Sequence, residues 1–220
     1  MTVHGGVLRP RIIVITDPAF GDGRILHCVA AVARALPVGA FAVQLRDKRR
    51  PISSLRLFAH ELRMVTQAVG AALIVNGLPQ LAREVAADGV HLGEGAVTAG
   101  DARRIAGKHI WISAAAHTDG DVRAAAEGGL DAVLVSSVFA SRPPRSLSPY
   151  KVARGVAALR AARSYGGGRL RIYALGGITS ENAAACASAG ADGVALIRTV
   201  LASADPSAQA RAVHDAWAGR

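Results

Sequence analysis

Ala187-Ser-Ala-Gly-Ala-Asp-Gly-Val194 ends an alanine-rich helical pattern in small residues and runs into a short apolar segment, Gly193-Val-Ala-Leu196. The phrase returns as Val85-Ala-Ala-Asp-Gly-Val90, leading into Gly89-Val-His-Leu92. It returns again as Glu127-Gly-Gly-Leu-Asp-Ala-Val133, leading into Asp131-Ala-Val-Leu-Val135. A helix end followed by a strand start, repeated along a chain, is the mark of one βα unit used several times.

Five further apolar runs extend the pattern outward: Arg11-Ile-Ile-Val-Ile-Thr16, Ala40-Phe-Ala-Val-Gln-Leu-Arg46, Ala72-Leu-Ile-Val-Asn76, Ile110-Trp-Ile-Ser-Ala114 and Leu170-Arg-Ile-Tyr-Ala-Leu175. Such short β-branched runs read as strands covered on both faces. Helical patterns at 24–36, 53–69, 79–87, 121–127, 152–163 and 182–189 fill the gaps, and a short helix is expected near Thr199. Alternation of this kind predicts a parallel sheet with crossover helices. Eight units in 220 residues match the α/β class as a single (β/α)8 TIM barrel. A doubly wound open sheet is the competing topology, which periodicity alone leaves open. No linker divides the chain, so a flexible lead over 1–10 and one barrel domain over 11–220 are expected. The stretch 139–150, rich in Pro, Ser and Arg, reads as a loop over the mouth, and Gly166-Gly-Gly168 as a second flexible link.

Composition limits the function classes. Apolar residues make up 51% and aromatics only 4%, so the core must be built from Ala, Val, Leu and Ile. No stretch of about 18 uncharged apolar residues offers a membrane span. The first residues lack an apolar signal-peptide core, and a cytoplasmic protein is expected. Cys28 and Cys186 form neither a CxxC pair nor a metal spacing and read as buried, inert thiols. The net charge of +10 raises the question of a nucleic-acid partner. The charge is mostly arginine scattered along Ala-rich helices with few aromatics among them. It therefore reads as a solvated surface that helps attract phosphorylated substrates, with no nucleic acid expected. A homo-oligomer is compatible with the sequence.

In a barrel, chemistry comes from the C-terminal ends of strands and the loops after them. Gln44, Arg46 and Lys48 share a direction if the extended pattern of strand two continues, which would make an amide and two cations into a phosphate or pyrophosphate clamp. Leu175-Gly-Gly-Ile178 follows strand seven, where Gly176 and Gly177 let backbone N–H groups approach an anion. Ile197 and Arg198 end strand eight at the second half of the usual phosphate site. His117 stands beyond strand five, either as a general acid/base or as a cap of the next helix. His91 falls in an apolar strand pattern and reads as a core histidine, and Asp17 ends strand one as support for the mouth.

The ordered set Val14-Ile-Thr-Asp17, Val43-Gln-Leu-Arg-Asp-Lys48, Ala87-Asp-Gly-Val-His-Leu-Gly93, Ala116-His-Thr118, Ser137-Val-Phe139 and Ala174-Leu-Gly-Gly-Ile-Thr-Ser-Glu-Asn182 resembles the thiamine phosphate synthase and TenI superfamily over about residues 11–203. The resemblance implies a (β/α)8 barrel and a role in thiamine biosynthesis. It implies one of two activities: Mg²⁺-dependent joining of a pyrimidine diphosphate to a thiazole phosphate, or metal-free tautomerisation of a thiazole carboxylate phosphate. It assigns Gln44, Arg46 and Lys48 to pyrophosphate, with Asn76 also matching.

Five positions depart from the synthase pattern, one of them Arg198, which stands where the family commonly has a small serine at the phosphate and either strengthens phosphate binding or blocks it. Gly77 replaces one Mg²⁺ aspartate and Ala96 the other, although Glu94 is a conceivable ligand. Ala115 replaces a serine before His117. Phe139-Ala-Ser-Arg-Pro-Pro144 lacks the usual lysine, for which Arg142 or Arg145 are candidate substitutes. Hard cations want carboxylate oxygens. The sequence therefore points first to a TenI-like thiazole tautomerase with His117 as acid/base, substrate held by Gly176, Gly177, Ile197 and Arg198, no metal ligand and no cofactor. Thiamine phosphate synthase with Mg²⁺ is the alternative, and a non-catalytic binder of thiamine precursors is the third. In each case the partner is a small phosphorylated thiazole or pyrimidine.

Overall fold

The computed structural model describes residues 8–93, 95, 97–140 and 152–219. Eight parallel strands close on themselves in chain order: β1 (Ile12–Ile15), β2 (Phe41–Leu45), β3 (Ala72–Asn76), β4 (Gly89–Leu92), β5 (Trp111–Ala116), β6 (Ala132–Ser136), β7 (Arg171–Leu175) and β8 (Gly193–Leu196). Pairing of Ile12 with Val194 closes the barrel between β1 and β8, which excludes the open sheet.

Nine helices are seen among the described residues: α1 (Asp22–Ala35), α2 (Ile52–Val69), α3 (Pro79–Glu84), α4 (Ala99–Ala106), α5 (Asp119–Glu127), α6 (Ala157–Gly166), α7 (Ala183–Ser188), α8 (Arg198–Leu201) and α9 (Pro206–Ala218). The sequence reading missed two of them. Thr98 caps α4 by accepting from Asp101 N, and Asp205 caps α9 by accepting from Ala208 N with Pro206 in the first turn. Gly166 is the last residue of α6, buried against Leu170, rather than part of a loose link. Leu8 packs on the barrel interior and Pro10 is buried, so packed structure begins before residue 11.

Alternation sorts the strand side chains. Ile13, Ile15, Ala42, Ile74, Trp111, Leu134 and Tyr173 fill the barrel, while Val14, Val43, Val75, Val90, Val133, Ile172 and Val194 face the helices. Trp111 and Tyr173 meet edge to face, with centroids 6.2 Å apart. Glycines make room for both rings. A Cβ on Gly193 would stand 2.7 Å from Tyr173 Cε1, and one on Gly89 would stand 3.0 Å from Trp111 Cε3.

The repeated phrase of the sequence has a structural meaning. Each of its aspartates sits just before an even-numbered strand and makes a reciprocal pair with the strand before. Asp88 N donates to Leu73 O at 2.8 Å and Asp88 Oδ2 accepts from Leu73 N at 2.8 Å. Asp131 does the same with Ile112, and Asp192 with Ile172. The same carboxylate oxygen takes an arginine from the helix that feeds the earlier strand: Arg63 of α2, Arg103 of α4 and Arg163 of α6. One device thus fixes the register at three quarters of the ring. Ala40 occupies the fourth place, before β2, and its carbonyl receives both Arg11 N and Ile12 N.

Candidate functional site

The polar interior side chains gather at the C-terminal end of the barrel. Asn76 pairs in register with His91, and His91 with Ser113, so three neighbouring strands carry a polar row across the floor of the mouth. His91 Nδ1 lies 2.9 Å from Ser113 Oγ. Gln44 Oε1 stands 3.5 Å from Asn76 Nδ2, at the limit of a hydrogen bond. Gln44 Nε2 is enclosed without a partner among the described residues. A buried amide in that condition is a donor waiting for an acceptor.

Above this floor, β2 ends at Leu45, so the three-residue clamp is not one extended edge. Gln44 is 1% exposed inside the barrel, whereas Arg46 and Lys48 lie exposed in the loop beyond it. That loop is held by its neighbours. Thr16 Oγ1 accepts from Arg46 N at 2.8 Å and donates to Arg46 O at 3.2 Å. Asp47 accepts from Arg49 N, Arg50 N and Arg50 Nε, and Arg50 reaches on to Asp22. Burial pushes the Asp47 carboxyl up, but these hydrogen bonds outweigh it and hold the group below the usual range. Asp47 and Arg50 thus brace the loop, while Arg46 and Lys48 take part in no ion pair among the described residues. Both cations act on the floor: burial first, and then the charges of Arg46 and Lys48, lower the His91 pKa to about 4. The histidine read as a core residue is therefore a neutral imidazole beneath two cations.

His117 immediately follows β5. It is Thr118, not His117, that caps α5, in a capping box with Asp121. Asp121 Oδ2 accepts from His117 N at 2.7 Å and from Thr118 N at 2.8 Å. Burial opposes the charge on Asp121, and the backbone donors keep its pKa lowered nonetheless. The His117 ring is half-buried, with Nδ1 at 3.2 Å from Ser136 O and 3.1 Å from Ser136 Oγ. A carbonyl can only accept, so the contact with Ser136 O is a hydrogen bond in the tautomer that carries its proton on Nδ1.

Across the mouth, Gly176 and Gly177 have φ of 103° and 62°. A Cβ on Gly176 would lie 2.5 Å from Ser137 Oγ, and one on Gly177 2.6 Å from Ala140 O. The loop after β7 is thus pressed on the loop after β6, where Val138 N and Phe139 N donate to Leu175 O and Gly176 O. Asn182 Nδ2 donates to Gly177 O at 2.9 Å, and Thr199 Oγ1 to Ile178 O at 2.7 Å, tying in the loop after β8. Ile197 caps α8 and Arg198 opens it, both half-buried. Asp17, at the end of β1, accepts from Ala19 N and opens a single 3-10 turn.

The mouth therefore brings together two groups: Gln44, Arg46, Lys48, Asn76 and His91 on one side, Gly176, Gly177, Ile197 and Arg198 on the other. His117 stands by Ser136 at the end of the neighbouring β5–β6 pair. Ser113 and Ser136 escaped the sequence reading, although the inward period through Trp111 and the end of β6 marks them. The Mg²⁺ implied by the synthase resemblance finds no set of ligands among the described residues. Gly77 has open space where a side chain would project, and no group of three or more His, Cys, Asp or Glu that could hold a metal occurs among the described residues. Glu94, Ala96, Arg142, Arg145 and most of the 139–150 loop lie outside the described residues.

A closed parallel barrel of eight strands alternating with helices defines a (β/α)8 barrel protein. The family model described as "Thiamine monophosphate synthase" (TMP-TENI) matches residues 12–200, and the chain belongs to that family. It is 40% identical over 205 residues to a thiamine-phosphate synthase of Methanoculleus marisnigri, covering 93% of each chain. To a thiamine-phosphate synthase of Moorella thermoacetica it is 34% identical, covering 93% of this chain and 94% of the other. Its fold is similar to that of a thiamine phosphate pyrophosphorylase from Pyrococcus furiosus, with a TM-score of 0.81 and 24% identity over 96% of this chain and 97% of that one. These names fall on the synthase alternative rather than on the tautomerase put first by the sequence.

Proposed function

We propose that the protein is a thiamine-phosphate synthase, joining hydroxymethylpyrimidine diphosphate to thiazole phosphate with release of pyrophosphate. The observation that carries the reading is the two-sided mouth. A tautomerase needs one phosphate anchor and an acid/base, whereas a second group of donors at this mouth supports an anion on the other side as well. Gln44 supplies an unpartnered buried amide there, and Arg46 and Lys48 are near enough for their charges to act on His91.

In the reaction, the bond between the pyrimidine methylene carbon and the diphosphate oxygen breaks, and its electron pair leaves with pyrophosphate. The thiazole nitrogen lone pair forms the new C–N bond and becomes the thiazolium nitrogen. Arg46, Lys48 and the Gln44 amide hold the diphosphate and meet the charge that develops on it, the arrangement that does most for such a step. Gly176, Gly177, Ile197 and Arg198 hold the thiazole phosphate on the other side, which places nitrogen and methylene carbon face to face. The described residues do not fit Mg²⁺, and no step here is routed through it.

A second reading, thiazole tautomerisation, draws support from His117, whose ring is held at the mouth by Nδ1 against Ser136. The purified chain given each substrate set, with Mg²⁺ and with chelator, separates the two. Pyrophosphate formed in proportion to thiamine phosphate supports the synthase. Aromatisation of the thiazole carboxylate phosphate that vanishes in His117→Ala, with no pyrophosphate released from the paired substrates, refutes it.

A further inference from the structure

The other end of the barrel carries a feature that the mouth does not use. Tyr173 is wholly buried, and its hydroxyl oxygen has no hydrogen-bond partner among the described residues. The ring cannot retreat, because it is fitted against Gly193 and edge-on to Trp111. Beside it opens a cavity of about 100 Å³ lined by Arg9, Pro10, Arg11, Arg171, Tyr173 and Asp192. That is the space of about three waters, or of one tetrahedral anion. The single carboxylate in the lining is already committed. Asp192 Oδ1 takes Arg171 Nη1 at 2.9 Å, and Asp192 Oδ2 takes Ile172 N and an arginine from behind, Arg163. Arg11 Nη1 donates to the Asp192 carbonyl at 3.1 Å, which draws its guanidinium to the rim. Three arginines thus line a cavity with one saturated carboxylate, and Tyr173, whose hydroxyl has no partner among the described residues, stands in its wall. Burial, and then Asp192, push the Tyr173 pKa up, so the hydroxyl remains a donor at any ordinary pH.

We propose that this cavity at the N-terminal end of the barrel, between Arg9, Arg11, Arg171 and Tyr173, is a second binding site that takes a small tetrahedral oxyanion of the phosphate class. Guanidinium forks can only donate and the neutral phenol can donate beside them, and a multi-acceptor anion is the ligand chemistry that answers them together. The site is independent of the catalytic reading, since it lies at the end of the barrel opposite the mouth. It binds the folded chain alone, so its occupant raises the melting temperature by mass action.

The test titrates the full chain with inorganic phosphate at low ionic strength, by calorimetry and by thermal melting, with chloride and pyrophosphate as comparison arms. Arg46→Gln weakens the mouth and leaves this cavity intact. Tyr173→Phe keeps the ring and deletes only the hydroxyl, and Arg11→Gln deletes one cation. The expected result is a phosphate site that survives Arg46→Gln and loses at least fivefold in affinity in both Tyr173→Phe and Arg11→Gln. Pyrophosphate binding equally well to Tyr173→Phe and to the parent chain locates that larger anion at the mouth and leaves phosphate as the cavity's ligand. Phosphate affinity unchanged in Tyr173→Phe and Arg11→Gln overturns the proposal, as does a crystal grown in phosphate with only water against the hydroxyl.

Discussion

Acidification to pH 5 provides a direct test of the mouth's electrostatics, because His91 is a neutral imidazole kept so by burial and by the cations above it. Its pKa is about 4 in the folded chain against 6.5 for an ordinary histidine. Between these values the unfolded chain takes up a proton that the folded chain refuses. Stability therefore rises with pH across the window and falls on acidification. The gap of about 2.5, at ~1.36 kcal/mol for each pH unit, gives a loss of about 3 kcal/mol on going from pH 7 to pH 4, of which about 2 kcal/mol is lost by pH 5. Against a total of roughly 5–15 kcal/mol that is a large fraction.

Urea unfolding at pH 7, 6, 5 and 4.5 measures it, with the slope against denaturant serving as a check that the unfolded state is unchanged. His91→Gln keeps a polar group opposite Ser113 Oγ and cannot be protonated, so its pH profile should be flatter by that amount over the same window. Asp47 and Asp121, whose lowered pKa values make them lose stability at still lower pH, are common to both proteins and cancel in the difference. Arg46→Gln should move the His91 transition upward, and so should pyrophosphate, which would neutralise the same cations. Superposable profiles for the parent chain and His91→Gln would refute the placement of a neutral histidine under Arg46 and Lys48.

Asp88→Ala strands Arg63, whose side chain is 8% exposed, and removes the acceptor of Leu73 N. About 3 kcal/mol of destabilisation is expected, read by calorimetry as a fall of about 6–12 °C in melting temperature. Arg104→Ala, which breaks an exposed pair with Asp101, should leave the melting temperature unchanged in the same assay. Gly177→Ala forces a Cβ into the space of the Ala140 carbonyl at a positive φ. Steady-state kinetics should show at least a tenfold rise in KM for the thiazole phosphate with a smaller change for the pyrimidine diphosphate. Cys28 and Cys186 are buried and their thiols are pushed up by burial, Cys186 to about 12. Mass spectrometry after iodoacetamide at pH 8 should find neither thiol modified in the native chain and both modified in urea.

The barrel was legible in the sequence because its signal is repeated. Eight β-branched runs each carry the same local instruction, and errors at their ends do not change the sum. β2 and β7 are shorter than their apolar runs, leaving out Ala40, Arg46 and Leu170, while β5 runs on through Ala115 and Ala116. The helices that escaped notice, α4 and α9, begin at capping residues, Thr98 and Asp205, and are polar on much of their surface. A reading built on apolar spacing passes over them. The aspartate phrase was visible as a repeat, but its reason was not. The partner of each Asp is an arginine 25 to 29 residues earlier, at positions where Arg looks like any other solvated helix charge.

The mouth was read less fully, because its chemistry depends on which face of a strand a residue occupies and on what stands one strand away. Gln44, Arg46 and Lys48 looked alike as an alternating edge, yet the end of β2 divides them into a buried amide and two exposed cations. His91 looked like core because its neighbours are Val90 and Leu92, which do face the helices; the histidine itself faces inward beside Asn76 and Ser113. Reading those three as one layer changes the balance between the candidate reactions. A monophosphate at Gly176 and Gly177 leaves the far side of the mouth without a purpose, whereas a diphosphate gives the orphan Gln44 amide an acceptor and Arg46 and Lys48 a counter-charge. In the sequence the missing aspartates outweighed a clamp already read from Gln44, Arg46 and Lys48; the unpartnered Gln44 amide is what adds weight to the other side.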